Sequence, residues 1–391
     1  MRHCITIVLS LLLAISCSGE KPVILGDDRT DLYIPLLQEG RVAIFSNHTG
    51  ILTNGEHVLD VVLSHGINVT AIFSPEHGFR GDADAGEHVG SSVDPSTGVP
   101  ILSLYGSGSH LPTAESMDTF DILLIDIQDV GLRYYTYYIT MCNLLDACSI
   151  YGKKVVLLDR PNPNGFYVDG PILDMKYKSG VGGLPIPIVH GMTLGELALM
   201  VNGEGWLPEG RKADITVIPC ENYTHSTRYE LPVAPSPNLK DMRAIYLYAS
   251  TCYFEGARVS LGRGTDHPFE MYGAPGMTGY DFSFTPQSLP GAKNPPFLNE
   301  ECHGVDLRGL SYEDIWREGI NFSYVVDAFQ NLNAGEDFFL GGGRFFRLLT
   351  GVDYVYDMLL SGATASEIEA RWQDDVTAFK QQRRPYLLYK E

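Results

Sequence analysis

Basic residues are scarce in this chain. Against 48 Asp and Glu stand 28 Lys and Arg, a formal net charge of −20 at pH 7. That balance repels phosphate and excludes nucleic acid as a partner. It argues equally against adhesion to anionic lipid through basic patches. Long apolar runs are missing too: past the first residues, none is long enough to cross a bilayer as a helix. Cysteine is sparse and lacks zinc-site spacing such as CxxC. Cys142 and Cys148 lie on one predicted helix, a poor geometry for a disulfide. Buried free thiols are therefore expected, with a Cys220–Cys252 bridge as the one pairing left open. No strand-like run is followed by GxGxxG. Gly106-Ser107-Gly108 lacks the third glycine, and Gly341-Gly342-Gly343 precedes no P-loop lysine, so no nucleotide cofactor is expected. The histidines show neither HxH nor HExxH spacing, and no metal is expected.

What is present begins with a leader. Arg2 and His3 precede an apolar run over Ile5–Ile15, too short to span a membrane, and Ser16-Cys17-Ser18-Gly19 follows. A small residue before a cysteine resembles a bacterial lipoprotein signal. The resemblance implies that residues 1–17 hold a signal peptide, that Cys17 is lipidated, and that the chain is exported to the periplasm on a membrane anchor. Ordinary cleavage nearby is the alternative.

Strand-like runs alternate with helical segments. The strands are Arg41–Ser46, Asn68–Ser74, Val99–Leu104, Phe120–Ile127, Lys154–Asp159 and Ile215–Pro219. Most are continuous Val/Ile/Leu runs, as in strands covered on both faces. Helices are expected at Gly55–His65, Tyr135–Tyr151 and Thr193–Asn202, the last with Thr193 and Glu196 as a capping box. The alternation predicts an α/β fold: a Rossmann-like parallel-sheet N-terminal domain over 24–232. The proline-rich Leu231–Asn238 reads as a connector. A smaller α+β C-terminal domain follows over 233–391. In it Ile245–Tyr253 is strand- or helix-ambiguous, Tyr272–Pro296 reads as a long loop, and helices fall near Tyr312–Glu318 and Ser366–Arg383.

The strand ends carry polar residues, and in a parallel sheet these ends share one edge, where ligands bind. Asn47 and His48 follow the first strand. Ser74-Pro75-Glu76-His77-Gly78-Phe79-Arg80 follows the second. Asp126-Ile127-Gln128-Asp129 closes the fourth, ahead of Arg133-Tyr134-Tyr135-Thr136, and Asp159-Arg160 closes the fifth. Amides, carboxylates and aromatic rings are the groups a sugar site needs. Glycoside hydrolysis ordinarily takes two carboxyl groups. The candidates are Glu76, Asp126, Asp129 and, from the second domain, Glu255. Asp129 also suits a cap on the turn at Gly131, and Asp159-Arg160 suits a structural ion pair. Arg258 and Arg263, amid glycines in an acidic chain, suit a substrate carboxylate or ion pairs with Asp266 or Glu270.

These motifs, together with Asp169-Gly170-Pro171, the run Pro187–Thr193 and Gly262-Arg263-Gly264-Thr265, resemble one family from about Ile24 to the C-terminus. It is the exo-β-N-acetylmuramidase (NamZ-like) family, long known only as a domain of unknown function. The resemblance implies an active site in the cleft between two domains. The implied activity is release of terminal N-acetylmuramic acid from the non-reducing end of peptidoglycan fragments. Glu76 falls where the family's candidate general acid lies, with His77 tuning it and Asp129 or Glu255 as the second group. Asn47, His48, Arg80, Tyr134, Tyr135, Arg258 and Arg263 are then the substrate-binding set, with an arginine on the lactyl carboxylate. Two other readings stand beside it: a non-catalytic muropeptide-binding lipoprotein, and a metal-dependent amidase or esterase using His48, His77 and His88.

Overall fold

All six apolar runs become strands of one sheet. The computed structural model describes residues 21–76, 78–79, 92–104 and 111–391. The strands are β1 (Val42–Ser46), β2 (Val69–Ser74), β3 (Ser92–Val93), β4 (Pro100–Ser103), β5 (Ile122–Asp126), β6 (Lys154–Leu158) and β7 (Asp214–Ile218). Their order is β3-β4-β2-β1-β5-β6-β7. Every pair is parallel except the short edge strand β3, antiparallel to β4. Alternate residues feed separate cores, which is why the runs are apolar throughout. Phe45, Phe73, Leu123, Ile125 and Leu157 pack on one face. Ile44, Ile72, Leu124, Val156 and Leu158 pack on the other. Helices α1 (Thr30–Leu37) and α2 (Val58–Ser64) cover the second face, and α3 (Ala114–Met117), α4 (Tyr137–Tyr151) and α5 (Leu194–Glu204) the first. The capping box of α5 is present: Glu196 N donates to Thr193 Oγ1 at 3.2 Å, and Thr193 N donates to Glu196 Oε2 at 2.9 Å.

The C-terminal domain contains a three-stranded antiparallel sheet, ordered β8-β10-β9, of β8 (Met271–Ala274), β9 (Phe282–Phe284) and β10 (Cys302–Asp306). The ambiguous Ile245–Tyr253 lies mostly in helix α6 (Met242–Thr251), capped by Asp241, whose side chain accepts from Ala244 N. Tyr272–Pro296 is not wholly loop: it begins in β8 and includes β9, because Phe282–Phe284 finds a pairing edge on β10 that local sequence does not reveal. The expected Ser366–Arg383 helix is two, Ala365–Ala370 and Gln373–Arg383. The break lets Trp372 bury its ring and donate its indole N–H to Asp169 Oδ1 at 2.8 Å.

The two domains share a core. Leu132 and Tyr134 of the first pack in one cluster with Tyr248, Phe254 and Phe346 of the second. Buried Arg133 ties them further, donating to the carbonyls of Pro171, Ile186, Leu349 and Thr350. The C-terminus returns to the first domain, where Tyr389 Oη donates to Asp159 Oδ2 at 2.6 Å. Cys142, Cys148, Cys220, Cys252 and Cys302 are free thiols, so Cys220 and Cys252 form no bridge.

Candidate active site

The chain winds from β1 outward through β2 and β4, then returns to β5 on the other side of β1. Such a reversal opens a crevice beyond the strand ends. Glu76, just past β2, faces it. The hydroxyl of Thr136, at the start of α4, makes no cap for its own helix and instead donates to Glu76 Oε2 at 2.7 Å. From the second domain comes the short turn Cys252–Gly256, bearing Glu255. Gly256 is required there: a Cβ would stand 2.6 Å from the Phe346 Cα. The next turn presents Arg263 between Gly262 and Gly264, both at positive φ, +86° and +81°. Arg263 donates to Glu255 Oε1 through Nε at 3.1 Å and Nη2 at 2.5 Å. Its guanidinium lies 5.1 Å from the ring centre of Phe269. Burial pulls its pKa down, but the Glu255 carboxylate more than offsets this and leaves it raised. Phe269 itself holds φ at +70°, a strained conformation for a bulky residue, at the wall of the site.

Glu76, Glu255 and Arg263 line one recess of about 100 Å³, together with Tyr134, Tyr135, Tyr248, Ser236 and Asn238. Carboxylates from two domains, a guanidinium and aromatic walls thus meet. The tyrosine hydroxyls are already committed, Tyr134 to the Ala249 carbonyl at 2.7 Å and Tyr135 to that of Pro235 at 3.0 Å. Those hydroxyl protons are therefore engaged, while both residues add aromatic surface to the lining.

Other expected site residues lie elsewhere. Asn47 is buried beneath the recess, donating to Tyr137 Oη at 3.0 Å and accepting from Thr49. His48 Nε2 meets the Ala234 carbonyl at 2.8 Å. Asp129 is outside the recess. Its Oδ1 accepts from Gly131 N at 2.7 Å, making the turn cap, and burial pushes its pKa up to about 7. Arg258 is exposed and donates to the Asp337 carbonyl at 2.7 Å, because a backbone bond from its own N to the Phe338 carbonyl fixes it on the outer side of the turn. Arg160 pairs with both Asp126 and Asp27, so Asp159 is not its partner. Asp159 accepts instead from Thr193 and Tyr389. Arg263 pairs with Glu255, not Asp266 or Glu270. Cys17, His77, Arg80 and His88 fall outside the described residues.

Sequence reasoning missed Thr136 as the partner of Glu76, and Ser236, Asn238, Tyr248 and Phe269 as walls. Ser236-Pro237-Asn238 carried a signal: a connector between domains must cross their cleft.

Residues 42–243 match the N-terminal part of the exo-beta-N-acetylmuramidase NamZ family and residues 246–389 its C-terminal part. The chain belongs to the NamZ family. It is 36% identical over 374 residues to the peptidoglycan beta-N-acetylmuramidase NamZ of Bacillus subtilis, covering 91% of this chain and 89% of that protein. A crystal structure of a DUF1343 family protein from Bacteroides fragilis is 61% identical and superposes with a TM-score of 0.88, over 95% of this chain and 100% of that one. A second DUF1343 protein of that organism is 25% identical with a TM-score of 0.78, over 94% and 99%. The family match divides the chain near residue 245, just past the connector whose Ser236 and Asn238 line the recess.

Proposed function

We propose that the chain is an exo-acting glycosidase that releases N-acetylmuramic acid from the non-reducing end of peptidoglycan fragments. One observation supports the chemistry above the rest: Glu76 and Glu255, contributed by different domains, line the same recess. Glu76 is the general acid, its carboxyl held by the Thr136 hydroxyl and aimed at the leaving glycosidic oxygen. Glu255 is the second group, fixed by Arg263 so that it can face the anomeric carbon, an attacking water or the 2-acetamido group of the sugar. Its pairing keeps a cation beside the charge that builds up as the bond breaks. Arg263 also suits the lactyl carboxylate of the sugar, and the rings of Tyr134, Tyr135 and Tyr248 suit its apolar face. Lipidation at Cys17 would hold such an enzyme in the periplasm, where wall fragments occur.

The test is incubation with the β-1,4-linked disaccharide of N-acetylmuramic acid and N-acetylglucosamine, both free sugars being followed by mass spectrometry. Wild type should release both. Glu76→Gln should lose about a hundredfold or more in rate, with an unchanged melting temperature. Near wild-type turnover by that variant would remove Glu76 from the chemistry. Saturable binding without release by wild type would make the chain a muropeptide-binding protein instead.

A further inference from the structure

The connector between the domains brings two unpaired polar atoms to the recess. Ser236, Pro237, Asn238 and Leu239 form a turn, closed by Leu239 N donating to the Ser236 carbonyl at 3.2 Å. Ser236 and Asn238 both line the recess, although they are only 7% and 6% exposed. The Asn238 amide has one orientation. Its Nδ2 donates to the Gly291 carbonyl at 2.7 Å, and a carbonyl can only accept, so the amide oxygen is the end left over. Gly291 packs closely there: at φ +82°, a Cβ on it would stand 2.7 Å from that of Pro237. Among the described residues, Asn238 Oδ1 and Ser236 Oγ have no hydrogen-bond partner, yet neither atom is sealed off. The same segment lies against the Arg263 turn, where Lys240 Nζ donates to the Thr265 carbonyl at 3.3 Å. With the leaving oxygen at Glu76, this is the side of the sugar that is retained.

Nearly buried polar atoms without partners cost free energy unless a ligand pairs them. Asn238 Oδ1 needs a donor, and the lactyl carboxylate can only accept. The acetamido group has an N–H that only donates and a C=O that only accepts. One substituent therefore answers both atoms, its N–H on Asn238 Oδ1 and its C=O on the Ser236 hydroxyl. We propose that Ser236 and Asn238 bind the 2-acetamido group of the retained sugar and set the preference for it. The proposal rests on the glycosidase reading and names the side chains that select the C2 substituent. A site built to hydrogen-bond a substituent rejects the analogue lacking it, because its own polar groups are then left unpaired.

Calorimetric titration of the full chain tests it with two ligands. One is N-acetylmuramic acid. The other is the 3-O-lactyl ether of 2-deoxyglucose, which keeps the carboxylate and lacks the acetamido group. Wild type should bind the first about tenfold or more tightly than the second. Ser236→Ala and Asn238→Ala should each weaken N-acetylmuramic acid about five- to tenfold and leave the 2-deoxy ligand within about twofold. Asn238→Ala also loses the Gly291 bond, whereas Ser236→Ala removes no side-chain hydrogen bond among the described residues and so keeps the test decisive if the first variant folds poorly. Unchanged affinity for N-acetylmuramic acid in both variants, or parallel weakening of both ligands, would overturn the assignment. So would wild type that binds the two sugars equally, or binds neither. Release of sugar from the β-1,4-linked disaccharide by wild type, followed alongside, decides the glycosidase reading separately.

Discussion

The candidate acidic side chains fall into two sets that look alike in sequence and differ in space. Asp126 ends β5, Asp129 lies just past it and Asp159 just past β6, and all are buried, at 0%, 7% and 0% exposure. Glu76 and Glu255 reach the recess. The aspartates bond inward: Asp126 to Arg160, Asp129 to the Gly131 N–H, and Asp159 to Thr193, Tyr389 and the Gly195 N–H. Burial still pushes Asp159 up to about 6. Only Asp129 caps its own loop; Asp126 and Asp159 tie their strand ends to distant segments, through Arg160 and through Thr193, Gly195 and Tyr389. The longer glutamate side chains project past them. One set builds the edge on which the other is displayed.

Substitution at Arg160 draws the sharpest line between them. Its guanidinium is held between Asp126 and Asp27, all three buried. Arg160→Met strands both carboxylates in the interior and should cost about 3–5 kcal/mol of stability. Chemical denaturation gives that number. The remaining folded fraction should keep its specific activity, because Arg160 does not line the recess. A stable variant with lost turnover would reverse the assignment.

The fold was legible because strand burial on both faces leaves a signature in single runs, and capping boxes such as that of Thr193 and Glu196 are local. The pairing of β9 with β10 and the break at Trp372 were not, since each depends on a distant partner. Within the site, Glu76 and Glu255 stood out as polar residues in glycine-rich turns. Their meeting with each other, and that of Glu255 with Arg263, depends on how two domains pack. Arg258 and Arg263 read alike for the same reason, until the positive-φ glycines around Arg263 turn it inward.

Asp129 sharpens the comparison through pH. Its carboxyl is raised from 3.8 to about 7 by burial, against the opposing bond from Gly131. Between those values the folded chain holds a proton that the unfolded chain has released. The stability this group supplies is complete below about pH 4 and is lost as pH rises through about 7. Asp129→Asn keeps an oxygen for the Gly131 N–H and stays neutral throughout. Relative to wild type, the variant should therefore gain about 2–3 kcal/mol between pH 5 and pH 8. A constant difference over that range would show that Asp129 is ionised and solvated, and so available for chemistry.

Arg258 gives the smallest effect and the cleanest control. It shares a segment with Arg263, yet its guanidinium is exposed and donates only to the Asp337 carbonyl among the bonds of the described residues. An exposed contact of this kind is worth less than about 1 kcal/mol. Arg258→Ala should change kcat/KM on the disaccharide by less than about twofold and leave the melting temperature within about a degree. A tenfold rise in KM would instead mean that the turn swings Arg258 into the cleft when substrate binds. The lactyl carboxylate would then be met by two arginines, and the division between an inward and an outward face of this turn would hold only without ligand.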